Sequence, residues 1–225
     1  MKTCKANLLK LAVLAGIVGA ISCGPARAVP NEIVNRFNTA CEVGQWRFDF
    51  GSVTHSASFD ALTDANNNPS SGSMQVVLGF NSAVQYNNQG AHTTDRWYPG
   101  LNGADYSSLS FDLKIDPNSA NDFYGNNGYF AMVIRNTDNY NYNTQFGDSV
   151  RSADGWRHVS VPLTGATDHI RALTFNLYGG PGQNIDGDVT FWIDNIEFTA
   201  VVPEPSTLAL VGLGTLGLLA IRLRR

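Results

Sequence analysis

Apolar and polar residues alternate along much of the chain with a period of two. Leu109-Ser110-Phe111-Asp112-Leu113-Lys114-Ile115 does so strictly, as a strand with one buried face requires. Val159, Val161 and Leu163 repeat the period after Trp156, and Leu173, Phe175 and Leu177 alternate with Thr174, Asn176 and Tyr178. Further strands are predicted at Trp46–Phe50, Met74–Phe80, Ala83–Tyr86, Tyr129–Asn136 and Val189–Phe198. Turn clusters separate them: Asn66-Asn67-Asn68-Pro69, Pro117–Gly128 and Gly179-Gly180-Pro181-Gly182, rich in residues that tolerate tight backbone bends. Asp186-Gly187-Asp188 reads as a hairpin bend. A helical period shows only at Asn31–Cys41. About eight short strands in one domain predict an all-β fold, a single antiparallel β-sandwich of jelly-roll type.

The two ends have a different texture. Lys2, Lys5 and Lys10 precede the apolar stretch Leu11–Ile21, and Ala26-Arg27-Ala28 places small residues at a cleavage position; residues 1–28 are expected to be a secretory signal peptide with a helical apolar core. Ala20-Ile21-Ser22-Cys23 offers lipidation at Cys23 as the alternative to cleavage after Ala28. With cleavage after Ala28 the mature chain keeps only Cys41, so no internal disulfide forms, and a free cysteine is expected to be buried.

At the other end, Pro203 and Pro205 break any regular element. The uncharged run Leu208–Ile221 follows, then Arg222, Arg224 and Arg225. Taken from Ser206 to Leu223, this span would rise about 27 Å as a helix, close to the thickness of a bilayer core. The terminal arginines would stay on the cytoplasmic side, leaving the body outside. Val202-Pro203-Glu204-Pro205-Ser206, with the apolar span and basic end, resembles the PEP-CTERM sorting signal. The resemblance implies an exosortase partner, cleavage near the Pro-Glu-Pro motif, and release or attachment at the cell surface or in an extracellular matrix. The expected organisation is therefore a signal peptide at 1–28, a sandwich domain at 29–201 and a sorting signal at 202–225 with a transmembrane helix at 206–223.

Removing the ends changes the charge. Residues 29–205 carry 8 Lys+Arg against 19 Asp+Glu, a net of −11, where the whole chain shows −4. An acidic body disfavours nucleic acid and anionic polymers and suits neutral glycans and cations. The histidines at 55, 92, 158 and 169 have no metal-binding spacing, and no nucleophile elbow or phosphate loop is present.

The succession Phe48-Asp49-Phe50, Gly72–Val77, Tyr106–Asp116, Gly155-Trp156 to Val161-Pro162-Leu163, and the closing Trp192-Ile193-Asp194-Asn195-Ile196 resembles galactose-binding-like jelly-roll carbohydrate-binding modules. In those modules an acid of the last strand and one near the first help hold a structural calcium; the matching residues are Asp194 and Asp49. Asp194 in an apolar strand is otherwise costly unless paired or solvent-facing. Sugar rings stack on aromatic faces, with planar polar side chains reaching the hydroxyls. The candidates are Trp97 and Tyr98 in the loop-like Asp95–Gly100, Tyr140 and Tyr142, Asn176 and Tyr178 on the polar side of their strand, and Arg135. Trp46, Trp156 and Trp192 are assigned to the core. The expected function is non-catalytic binding of carbohydrate or exopolysaccharide. A structural matrix protein without a ligand site and a polysaccharide hydrolase or lyase are the alternatives; aromatic clustering favours the first reading, convergent carboxylates the last.

Overall fold

The computed structural model describes residues 29–48, 53–81, 89–94, 97, 100–136, 142–163, 169–179 and 185–202. Pro30–Ala200 forms one compact unit. The signal segment 1–28, the span 206–223 and the predicted strand Ala83–Tyr86 lie outside the described residues. Among those described, no helix is long and apolar enough to cross a membrane.

Eleven strands run in chain order: β1 Glu32–Asn35, β2 Arg47–Phe48, β3 Thr54–Asp60, β4 Ser73–Phe80, β5 Gln89–Thr94, β6 Tyr106–Ile115, β7 Tyr129–Asn136, β8 Tyr142–Ser149, β9 Arg157–Pro162, β10 Ile170–Tyr178 and β11 Gly187–Ala200. One sheet has the order β3-β4-β11-β6-β9, with β1 also paired to β11; the other has the order β2-β5-β10-β7-β8. Every pairing is antiparallel. Sequential strands are largely divided between the two sheets, which makes the domain a β-sandwich.

The alternating residues do what their period predicts. Leu109, Phe111, Leu113 and Ile115 from β6, with Met74, Val76 and Leu78 from β4, face Phe130, Met132 and Ile134 from β7 and Leu173, Phe175 and Leu177 from β10; all are at most 3% exposed. Phe111 spans the interior to Phe175 (5.0 Å between ring centroids) and Phe130 (5.9 Å), and Phe130 meets Phe191 at 5.8 Å. Trp46 and Trp192 join the buried set, as expected.

The segment expected to be helical is not. Glu32–Asn35 pairs with the end of β11, and only the four residues Ala40–Val43 form a helix, α1. Its apolar positions are too few for a full amphipathic face, so the chain extends where β11 offers open backbone partners. Only Val43 of α1 is buried, which leaves Cys41 exposed, contrary to the sequence expectation. Gly187 and Asp188 begin β11 opposite Phe80 and Gly79 of β4, so they are not a hairpin bend: β10 and β11 belong to different sheets.

β11 contains a bulge. Asp194 pairs with Asp112 and Glu197 with Ser110, so Asn195 and Ile196 both stand opposite Phe111. The extra residue is accommodated by a left-handed backbone at Asn195 (φ 49°), as bulges allow. Ile196 thereby stays in the core, while the Asn195 side chain turns to the outer face and donates to Asp112 Oδ2 at 2.7 Å.

Candidate functional site

Strand register places several candidate residues on the outer face of the five-stranded sheet. Leu173, Phe175 and Leu177 point inward, so Thr174, Asn176 and Tyr178 point outward. Asn176 is paired with Ala131 and Tyr178 with Tyr129. Arg135 stands opposite Tyr142 of β8, which puts these two positions on the same face. Its residues differ in access. Ala131, Val133, Arg135, Thr174 and Asn176 are buried, whereas Tyr129 is 41% exposed and Tyr178 half-buried. Arg135 is thus not a solvent-facing contact. The aromatic end of the face is the accessible end.

There the Tyr129 and Tyr178 rings lie 6.5 Å apart, tilted by 46°. Small neighbours make room for them: a Cβ at Gly147, opposite Ala131 on β8, would collide with the Tyr129 hydroxyl and come within 2.8 Å of Cζ. Burial raises the Tyr178 phenol above its ordinary pKa; Tyr129 adds to the rise, and the Asn176 amide beside it opposes it. Among the described residues neither amide atom of Asn176 has a partner at hydrogen-bond geometry. The Asn176 side chain is closed off from solvent and sits beside the Tyr178 phenol. Sequence reasoning read Tyr129 only as the start of an apolar strand; its pairing with Tyr178 across a strand register is what gives it a partner.

The remaining candidates separate. Trp97 is 9% exposed; its Nε1 donates to Glu32 Oε1 at 3.1 Å, and its ring packs edge-on against Phe198. Its backbone N–H bonds to Arg171 O, which draws the apparent loop onto the sandwich, so Trp97 is a packing residue. Tyr98, Tyr140, Asp49 and the motif residues Pro203, Glu204, Pro205 and Ser206 lie outside the described residues. Val202 is exposed. Phe123 and Tyr124, not singled out by sequence, are 94% and 71% exposed at the tip of a turn whose amides at Tyr124 and Asn126 donate to Asp122 Oδ1 at 2.8 and 2.7 Å.

The opposite outer face carries Asp194. It is fully buried beneath the β3–β4 connection, where Ala65 N–H donates to Oδ2 at 3.1 Å and Asn195 N–H to Oδ1 at 2.7 Å. Burial pushes its carboxyl up to about 6; the two amide donors pull it down, and Asp64 and Asp112 push it further up. Among the described residues no three acidic, histidine or cysteine side chains converge to hold a metal. A buried carboxylate satisfied only by neutral amides suits a cation, but its expected acidic partner Asp49 is not among those residues.

Comparison with known proteins gives the class in two parts. Residues 201–225 match the PEP-CTERM protein-sorting motif. The body shares its fold with carbohydrate-binding modules. The family 11 module of the cellulosomal cellulase Lic26A-Cel5E of Clostridium thermocellum is 15% identical, with a TM-score of 0.54 over 80% of this chain and 99% of that one. The family 11 module from Clostridium thermocellum solved with a β-1,3-1,4-mixed-linked tetrasaccharide is 16% identical, with a TM-score of 0.53 over 78% and 99%. An exo-β-agarase is 12% identical, with a TM-score of 0.54 over 77% of this chain but 26% of the enzyme. No curated protein matches in sequence. The chain thus joins a PEP-CTERM sorting motif at its end to a β-sandwich whose fold is like that of these modules.

Proposed function

We propose that the body, residues 29–201, is a non-catalytic carbohydrate-binding domain, exported behind the signal peptide 1–28 and sorted through residues 202–225. An exosortase would cut near Pro203-Glu204-Pro205 after the span 206–223 had held the chain transiently in the inner membrane, and the domain would then act at the cell surface or in the extracellular matrix. The observation that carries the binding reading is the accessible Tyr129–Tyr178 pair. Two tilted rings offer apolar faces to a pyranose, and their hydroxyls can exchange hydrogen bonds with its own. The family 11 module solved with a β-1,3-1,4-mixed-linked tetrasaccharide makes a neutral β-glucan the first ligand to try, and the body's negative charge disfavours acidic polymers.

Affinity electrophoresis of the full chain in gels containing mixed-linked β-glucan tests this. Retardation that Tyr178→Ala and Tyr129→Ala weaken is expected; unchanged mobility of the parent chain in every neutral polysaccharide removes the reading. The sorting part is tested by mass spectrometry of the exported protein, where an intact Arg225 would remove exosortase cleavage. A structural calcium shared by Asp194 and Asp49 belongs to the same proposal, since a cation offsets the burial of a carboxylate. A melting temperature indifferent to EGTA would remove it.

A further inference from the structure

The outer face of the six-stranded sheet holds a groove that none of the above uses. Two clefts, of about 570 and 450 Å³, share one wall residue, Trp156. Sequence assigned Trp156 to the core, but it is only half-buried, just before β9. On one side of it Asp112 takes a fixed pose: His158 Nδ1 lies 2.7 Å from Oδ1, and Asn195 Nδ2 donates to Oδ2 at 2.7 Å. The His158 side chain is 62% exposed and that of Asp112 14%, so the carboxylate is held in place while the imidazole lines the cleft in contact with solvent. The β11 bulge supplies Asn195; a regular strand would not turn that amide outward. On the other side the wall includes Lys114, Asp64 and Asn67. Lys114 Nζ lies 5.8 Å from the Trp156 ring centroid and 5.1 Å from that of Trp192, which fixes the indole's surroundings through cation–π attraction.

An indole shared by two clefts and flanked by planar hydrogen-bonding groups matches a hydroxyl-rich polymer that runs across both better than a compact ligand. Asp64, Asp112 and Glu197 line it beside Lys114 and Arg36, and Arg36 pairs with Glu197 at 3.6 Å, so the charges nearly balance and an uncharged polymer suits the lining better than a polyanion. We propose that this groove is a second glycan site, taking a neutral polysaccharide strand across Trp156. Resting on the binding function proposed for the Tyr129–Tyr178 face, it makes one domain bivalent. Each face holds a different strand, and the domain cross-links them, gaining avidity where single sites are weak.

Isothermal titration of the full chain with a β-1,3-1,4-mixed-linked tetrasaccharide tests this, beside light scattering with long mixed-linked β-glucan and with a polyuronate control. The expected result is two ligands per chain, one after Trp156→Ala, one after Tyr178→Ala and none in the double variant. Only the unaltered chain should raise the scattering of the long glucan, and the polyuronate should give no response. His158→Ala, at an exposed position, should weaken the same site as Trp156→Ala without touching the core, which separates lost binding from lost fold. A single ligand that Tyr178→Ala abolishes, with Trp156→Ala and His158→Ala silent, overturns the second site and leaves the first. A single ligand lost only in Trp156→Ala and His158→Ala overturns the first site and the cross-linking. No binding overturns both.

Discussion

The Glu42 carboxylate receives the backbone N–H of Phe37 at 2.9 Å. It also receives those of Arg36 (3.0 Å), Asn38 (2.8 Å) and Thr39 (3.3 Å). Phe37 adopts a left-handed backbone (φ 46°) while its ring is fully buried, and that turn gathers successive amides into an anion-binding nest. Glu42→Gln keeps one accepting oxygen and turns an NH₂ toward two N–H groups. It should cost about 1–2 kcal/mol, since charge-assisted hydrogen bonds weaken while most of the donors can turn to water. Urea unfolding monitored by tryptophan fluorescence reads this directly; a midpoint within error of the parent would mean that the nest holds nothing in place.

Gly147→Ala should disable the aromatic end of the five-stranded sheet without unfolding it. The added methyl takes the space of the Tyr129 phenol, and a ring at the end of a flexible side chain can swing away. Affinity for mixed-linked β-glucan is expected to fall about tenfold, roughly 1.4 kcal/mol, while the melting temperature hardly moves. Undiminished retardation in affinity gels would show that the Tyr129 pose is irrelevant to binding.

Asp194 makes stability depend on pH in the direction opposite to most carboxylates. Its native pKa of about 6 lies above the unfolded value of about 3.9, so the native state holds the proton more tightly. Stability is greatest below about pH 4, falls as pH rises toward 6 and levels off beyond, by roughly 2–3 kcal/mol from this one group. Melting curves in EGTA between pH 4 and 7 should show the decline, and Asp194→Asn should flatten it. A rise over that interval owed to Asp194, recognised by its loss in the same variant, would contradict the burial account.

Cys41 should react with a thiol reagent in the native protein at a rate near that of a free thiol, because it stands exposed on α1. Labelling that appears only in denaturant would contradict this placement.

The strands with a strong apolar row were legible in the sequence: β6, β7, β10 and β11 stand where that row puts them. The missed strands had no such signal. β3, Thr54-His55-Ser56-Ala57-Ser58-Phe59-Asp60, is an edge strand exposed over most of its length, so nothing apolar marks its period, and β1 exists because β11 extends beyond β4 and leaves backbone groups to pair. The polar row of β10 correctly pointed to Asn176 and Tyr178. Tyr129 and Trp156 escaped notice because their roles come from cross-strand register and from clefts between loops, which no local pattern encodes. Trp97 misled for the converse reason: its surroundings read as loop, yet its backbone bond to Arg171 folds it into the interior.

β11, fourteen residues long, is the spine of its sheet, flanked by β4 and β1 on one side and β6 on the other. It ends at Ala200, one residue before the sorting motif begins. The larger sheet therefore has no centre until the last stretch of the body is in place, so the sandwich closes on the strand that adjoins the sorting motif.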